Sequence, residues 1–307
     1  MKRAVNCGLV KADNMKQAIL LLSFGTPRQP SDLLPYLTSI RRGKIPTERE
    51  LKVLTARYDA IGQWDNKLLQ KMGEEQKKTL KSLLAIDAMY LAYLHMPNSM
   101  EQAIESIATA GYTSILCIVT SPFYSMIGTG AYERKLHSIL RAYPDISCEI
   151  IKSWWNRPQF FEYWRSQLMA ANPLQADTAC IFSAHSVPTS TVGSYEDEVM
   201  SASNQIAKMV GLNHWYQAWQ SAAPYGEWLG PTIESVIEQA LIDGAKRIVC
   251  IPFGFVSDHV EILYDNDIIC RNIVENAGAT YERLPMPNGN TLFMEAMAKA
   301  IRERINK

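Results

Sequence analysis

No apolar run in this chain of 307 residues reaches the roughly 18 residues that a membrane-spanning helix needs, so no segment is expected to cross a bilayer. Charge of one sign is missing too: 31 basic and 31 acidic residues cancel. That balance removes the broad positive field on which general nucleic-acid binding depends, and any charge-based recognition must be local. Cysteine is sparse and scattered. Cys7, Cys117, Cys148, Cys180, Cys250 and Cys270 form no CxxC pair, so neither a disulfide framework nor a zinc site is expected, and they read as small buried hydrophobes of a reducing compartment. There is no P-loop, no GxSxG elbow and no HExxH helix. The first eleven residues hold no apolar stretch long enough for a secretory signal. A cytoplasmic location is expected, with residues 1–16 as a flexible N-terminal extension and Met15 as an alternative start.

What is present is an ordinary globular composition, 47% apolar, large enough to bury one big core or two modest ones. Short apolar runs at 18–24, 88–93, 114–120, 148–151, 178–184, 215–220 and 247–252 alternate with helical segments. That order predicts parallel sheets covered by helices, an α/β protein. The chain also repeats itself. Residues 100–119 align without gaps onto 233–252, each copy an amphipathic helix that stops at a glycine, Gly111 or Gly244, before a buried strand. Leu21-Leu-Ser-Phe-Gly-Thr-Pro27 likewise matches Ile181-Phe-Ser-Ala-His-Ser-Val-Pro188. Two similar α/β domains are expected, 17–160 and 161–307, with the C-terminal helix packing back on the first. Ligands of open parallel sheets bind beyond the carboxyl ends of the strands. The loops after Phe24, Thr120, Ala184 and Pro252 should therefore meet at one interdomain cleft.

The densest chemistry lies in Phe253-Gly-Phe-Val-Ser-Asp-His-Val-Glu-Ile-Leu-Tyr-Asp-Asn-Asp267, which carries Asp258, His259, Glu261, Asp265 and Asp267. A helix opening near Ser257 would place Asp258 and His259 in its first turn and Glu261 and Asp265 on one face, a row able to pass a cation or a proton inward. The plainer reading is an acidic helix start favoured by the macrodipole. His185 follows a buried strand and precedes Pro188. It is either a turn residue or an imidazole facing the cleft, where with Glu261 it would make a two-ligand cation site or an acid/base pair. Two ligands leave most coordination positions open, which suits a metal in transit. Arg41, Arg42 and Arg57, with Tyr58, could receive carboxylates or simply form a solvated helix face. Aromatic and methionine side chains near the other loops, Phe123, Tyr124, Met126, Tyr132, Trp219, Tyr225 and Trp228, suit either a core or the walls of a site for a flat ligand.

Taken in order, Leu22-Ser-Phe-Gly-Thr-Pro27, Ser39-Ile-Arg-Arg-Gly43, Arg57-Tyr-Asp-Ala-Ile-Gly62, Ser183-Ala-His-Ser-Val-Pro188, Trp219-Gln-Ser221, Trp228-Leu-Gly-Pro231 and Pro252-Phe-Gly-Phe-Val-Ser-Asp-His-Val-Glu-Ile-Leu-Tyr-Asp265 resemble the ferrochelatase family. The resemblance runs from about Ala18 to the C-terminus, and the chain is most similar to the short bacterial branch that acts on coproporphyrin. It implies two Rossmann-like domains around a porphyrin cleft, and insertion of Fe2+ into a metal-free porphyrin with loss of two protons. Iron would be substrate, and no tightly bound cofactor is expected. By the same resemblance His185 and Glu261 are the catalytic, iron-site pair and Asp265 extends the acidic row. Phe24, Arg41, Arg57, Tyr58 and Tyr132 would line the porphyrin side. Expected partners are porphyrin, ferrous iron and transient haem-pathway or iron-donor proteins. Three positions depart from the family pattern. Phe24 stands where many members of the branch carry a tyrosine able to ligate haem iron. Gly62-Gln-Trp-Asp-Asn-Lys67 replaces a Gly-Gly-x-Ser-Pro-Leu stretch. Ile269 sits one turn beyond Asp265 where a further acid is common. The altered loop at 63–67 motivates one rival, a tetrapyrrole-binding paralogue without turnover, and a two-ligand site that does not choose its metal by geometry motivates another, a chelatase for another divalent metal.

Overall fold

The computed structural model describes residues 16–306, Lys67 and Pro224 excepted. Residues 1–15 of the expected extension, Met15 and Cys7 among them, lie outside the described residues. Eight strands are formed among the described residues: β1 (Gln17–Ser23), β2 (Met89–Tyr93), β3 (Ser114–Val119), β4 (Ser147–Ile151), β5 (Thr178–His185), β6 (Trp215–Gln220), β7 (Arg247–Ile251) and β8 (Thr280–Arg283). They build two four-stranded sheets of identical plan, β2-β1-β3-β4 and β6-β5-β7-β8, and every pairing is parallel. The internal repeat thus maps β3 onto β7 and β1 onto β5. Its two helices, Ser99–Thr109 and Ile233–Ile242, end just before Gly111 and Gly244, whose φ angles of 77° and 99° supply the left-handed residue that closes each helix.

Continuous apolar strands are required because both faces are covered. On β1, Ala18, Leu20 and Leu22 pack against Met100, Ile104, Tyr132 and Leu136 on the outer face. Ile19 and Leu21 turn the other way, into a cluster that also holds Trp154, Phe160, Phe182, Phe253 and Phe293. Side chains of both sheets enter that cluster, so the two halves share one core. The helix Thr291–Ile305 packs on Leu68–Leu84 and on Pro158–Ala170. Arg302 of that helix donates to the Leu83 carbonyl at 3.0 Å.

Three details differ from the sequence reading. β8 is short and mixed in polarity, an edge strand without an apolar run to announce it. The cysteines are not uniformly buried: Cys117, Cys180, Cys250 and Cys270 are, but Cys148 is exposed because β4 is the other sheet's edge. The helix after β7 opens at Val260, not near Ser257, and runs as a π-helix over Glu261–Cys270 before returning to α geometry at Arg271–Asn276. Asp258 and His259 therefore precede the helix. No described helix is long and apolar enough to cross a membrane.

Candidate functional site

β5 delivers His185 as its last residue. The strand end is held on three sides: His185 is in register with Gln220 of β6, the Ser186 amide donates to the Gln220 carbonyl at 2.9 Å, and the Tyr195 hydroxyl donates to the His185 carbonyl at 2.9 Å. The ring is fixed by its own neighbour, with Nδ1 2.5 Å from the Ser186 carbonyl. A carbonyl only accepts, so Nδ1 carries the proton and Nε2 is the atom left for chemistry. Nε2 lies 3.6 Å from Glu261 Oε1, while Glu261 Oε2 lies 3.8 Å from His259 Nε2. One carboxylate thus stands between two imidazoles. Phe255 sits edge-on to His259 at 4.9 Å and beside His185 at 6.3 Å.

Local rearrangements of this kind, with π-turns inside helices, are frequent at functional sites. Here the wider turn keeps Glu261 and Asp265 on one side of the helix. Asp265 accepts from the Ser221 hydroxyl at 2.7 Å and meets the Arg57 guanidinium at 3.4 Å, which ties the acidic row to the N-terminal half. Beneath it, Gln220 is buried and its Oε1 accepts from Ser183 at 2.9 Å and from Asn266 at 3.1 Å. That amide joins β5, β6 and the π-helix. The remaining two acids do other work. Arg283 of β8 grips Asp267 with two hydrogen bonds of 2.7 and 2.8 Å and reaches Asp258 at 3.2 Å, and Asn288 also donates to Asp258. Of the five potential ligands in this segment, Asp258 and Asp267 are structural partners of one arginine.

Charges in the site are set by this geometry. Burial alone would lower the His185 imidazole, but the Glu261 carboxylate overrides it and raises the group to about 9. Burial would likewise raise Glu261, and the facing imidazolium pulls it down to about 2. Burial lowers His259 and prevails over the attraction of Glu261, so of the two imidazoles only His185 is charged near neutrality. Burial lifts Asp265 to about 6, against the opposing pulls of Ser221 and Arg57. The contribution of His185 to stability is complete below its ordinary 6.5 and is lost as pH rises through about 9. That of Glu261 is complete above 4.5 and is lost as pH falls through about 2. In a Glu261→Gln variant the His185 value should fall well below about 9, because only the Ser186 carbonyl and Asp265 then oppose burial. A nitrogen-detected NMR titration of the histidines measures this; an imidazole still titrating near 9 would mean that Glu261 is not its counter-ion.

The residues expected on the porphyrin side fall into two groups. Tyr58 is 1% exposed, accepts from Thr26 at 3.5 Å and is stacked on by Trp64 at 5.3 Å; burial raises its hydroxyl to about 12 against the hydrogen bonds of Thr26 and Tyr36, which lower it. Tyr132 is buried in the outer-face cluster of the first sheet. Phe24, by contrast, is 45% exposed, edge-on to Tyr36 and His95. Arg57 stands 5.0 Å over the Tyr264 ring beside its Asp265 contact. Arg41 is engaged by Glu50 of the next helix, the acid that also closes the capping box on Thr47. The departing segment folds inward: Gln63 is buried and donates to the Pro27 carbonyl at 3.3 Å, and Trp64 donates to Asp59 at 2.6 Å. Two surface cavities, of about 390 and 350 Å3, are lined by none of these site residues.

Sequence reasoning passed over Tyr36, Ser221, Gln220 and His95. The His95 ring lies 4.4 Å from Phe24 with Nδ1 3.0 Å from the Ser39 hydroxyl, and burial, helped by Lys135, lowers it to about 4. It follows the carboxyl end of β2, so the strand-end rule that singled out His185 would have found it. Ser221 and Gln220 also stand at a strand end, that of β6, and within the Trp219-Gln-Ser221 motif, but the partners that define their roles lie 44 and 46 residues away.

Two parallel four-stranded sheets of one plan thus carry an imidazole at the end of β5 and a carboxylate in the helix that follows β7. Solved chelatases share the fold: the sirohydrochlorin chelatase SirB of Bacillus subtilis subspecies spizizenii, solved in complex with cobalt, matches with a TM-score of 0.61 at 11% identity over 94% of this chain and 95% of that one. CbiX, described as the terminal enzyme of sirohaem biosynthesis in denitrifying bacteria, matches at 0.54 and 14% over 93% and 98%. The Ferrochelatase family model matches residues 16–305, and the chain belongs to the ferrochelatase family. Its curated relatives include the coproporphyrin III ferrochelatases of Geobacillus kaustophilus, 33% identical over 93% of this chain and 95% of the relative, and of Staphylococcus aureus, 31% identical over 94% and 98%.

Proposed function

We propose that the chain inserts Fe2+ into coproporphyrin III in haem biosynthesis. The observation that carries the reading is the opposition of His185 Nε2 and Glu261 across 3.6 Å at the carboxyl ends of the second sheet, in a chain whose relatives are named for that reaction. Glu261 is ionised at neutral pH and attracts the dication. Its arrival replaces the proton on Nε2, because the metal then neutralises the carboxylate that had held the imidazole at about 9. Freed of that proton, Nε2 can hold the iron or accept a pyrrole proton. Asp265, at about 6, is suited to receive a proton near neutrality and pass it outward. The balance is simple: the porphyrin loses two N–H protons, all four of its nitrogens become ligands to iron, and no electron is transferred.

Phe24, Arg41, Arg57, Tyr58 and Tyr132 remain the porphyrin-side residues of this reading. Phe24 offers an exposed flat face but no ligand atom, so product iron must be held, if at all, by another group. An anaerobic assay with Fe2+ and either coproporphyrin III or protoporphyrin IX tests the function. Faster turnover of coproporphyrin is expected; a spectral shift on binding with no metallation would identify a tetrapyrrole-binding paralogue. The inward fold of Trp64 onto Tyr58 favours that second reading, since it fills space beside a porphyrin-side residue. Equal concentrations of Fe2+, Co2+ and Zn2+ in one assay decide metal choice, which two ligands do not impose by geometry. Arg41→Ala should raise KM for coproporphyrin roughly tenfold with little change in kcat, the effect of losing one charge-assisted hydrogen bond. An unchanged KM would assign Arg41 to Glu50 alone.

A further inference from the structure

The thiols of Cys117 and Cys148 lie 3.6 Å apart on neighbouring strands, 31 residues apart in the chain. In the β3–β4 register Ile115 is opposite Cys148 and Cys117 opposite Ile150, so the two cysteines are diagonal neighbours on the same face of the sheet. A disulfide needs the sulfurs about 2.05 Å apart, so closure asks for a movement of roughly 1.5 Å at the edge of the sheet. One thiol is exposed and the other fully buried behind it. Such a pairing divides the labour of peroxide chemistry between a solvent-facing attacker and a protected resolver.

We propose that Cys148 and Cys117 form a peroxide-reactive thiol pair that closes to a reversible disulfide. The Cys148 thiolate attacks one oxygen of hydrogen peroxide, the O–O bond breaks, and the sulfur leaves as sulfenic acid with hydroxide released. The Cys117 sulfur then attacks the sulfenic sulfur, the S–S bond forms, and the hydroxyl departs as water with the thiol proton. In sum two thiols and one peroxide give one disulfide and two waters; the sulfurs lose two electrons and the peroxide oxygens gain them. The assignment of roles is supported by the contact between the two groups: their hydrogen bond lowers the Cys148 thiol, while the same hydrogen bond and burial raise Cys117. The other described cysteines are poor competitors. Cys180, Cys250 and Cys270 are buried, and burial raises each thiol, the first two to about 12.

The pair is remote from the His185/Glu261 site in sequence and element, and the proposal stands whether or not the chain metallates a porphyrin. Cys117 shares its packed cluster with Tyr132 and Leu136, so closing the bond pulls on the wall that carries Tyr132. The test treats the full-length, reduced protein with a few equivalents of hydrogen peroxide, blocks remaining thiols with N-ethylmaleimide, and reads intact mass and a peptide map. The expected result is loss of about two free thiols and about 2 Da, a Cys117–Cys148 linked peptide, and full reversal by dithiothreitol. Cys117→Ser should stop the reaction at a Cys148 sulfenic acid that dimedone captures, and Cys148→Ser should slow thiol loss at least tenfold. A disulfide mapped to any other pair, Cys7 included, would overturn the proposal. So would wild-type Cys148 that advances to sulfinic acid, or thiols that remain unchanged; each of these outcomes is read from the wild-type protein, without relying on a variant.

Discussion

Replacing His185 by alanine lowers the rate of iron insertion by about a thousandfold while porphyrin continues to bind, the loss typical of removing a positioned proton acceptor. The expectation rests on what the ring does in the metal-free protein. Its Nδ1 proton is committed to Ser186 and its Nε2 is aimed at Glu261. His259 does not substitute, because it approaches the opposite carboxylate oxygen and stays neutral. Porphyrin affinity is measured by absorbance titration and turnover by anaerobic single-turnover assay. Glu261→Gln should cost a similar factor, and the double variant should be little worse than either single one, since the two groups act as a unit. Near-normal turnover of His185→Ala would remove the imidazole from the mechanism.

Gly254→Ala should destabilise the protein by about 2 to 3 kcal/mol, the cost of overpacking a rigid contact, and lower insertion together with stability. Gly254 does not have a positive φ. Its freedom from a side chain is needed for close approach: a Cβ there would come within 2.6 Å of Ala184 Cα, closer still to Ala184 Cβ, and 3.4 Å from the Ser183 carbonyl. That same carbonyl accepts from the Gly254 amide at 3.1 Å. The loop carrying His259 and Glu261 is therefore pressed directly onto the strand carrying His185, and no flexible side chain can yield. Thermal unfolding measures the first effect. The His185 titration measures the second, because a displaced Glu261 lets the imidazole fall below its value of about 9. Unchanged Tm and unchanged titration would show that the contact relaxes at little cost and does not set the site.

Much of the architecture was legible because it follows from local pattern. Seven apolar runs became seven strands, and the gapless repeat anticipated two sheets of one plan, since both faces of a parallel sheet must be buried and so mark themselves along the chain. β8 escaped because an edge strand of Thr280–Arg283 needs no such mark. His185 and Glu261 were named through the family resemblance, His185 at the end of a strand the pattern locates and Glu261 in the segment that follows β7. Asp258 and Asp267 were not separable from Glu261 and Asp265, as all four are acids of one segment after β7. Only Arg283, 16 residues after Asp267, tells them apart.

By itself the sequence determined the α/β class and the twofold repeat, because these depend on periodicity and on where strands stop. Tertiary structure alone decided which acids face the imidazole, which way its ring is protonated, that the following helix is wound as a π-helix, and that two cysteines on separate strands touch. Each of these depends on a partner brought from a distant part of the chain, and a hydrogen bond or an ion pair is made by atoms within a few ångströms, whatever their separation in sequence.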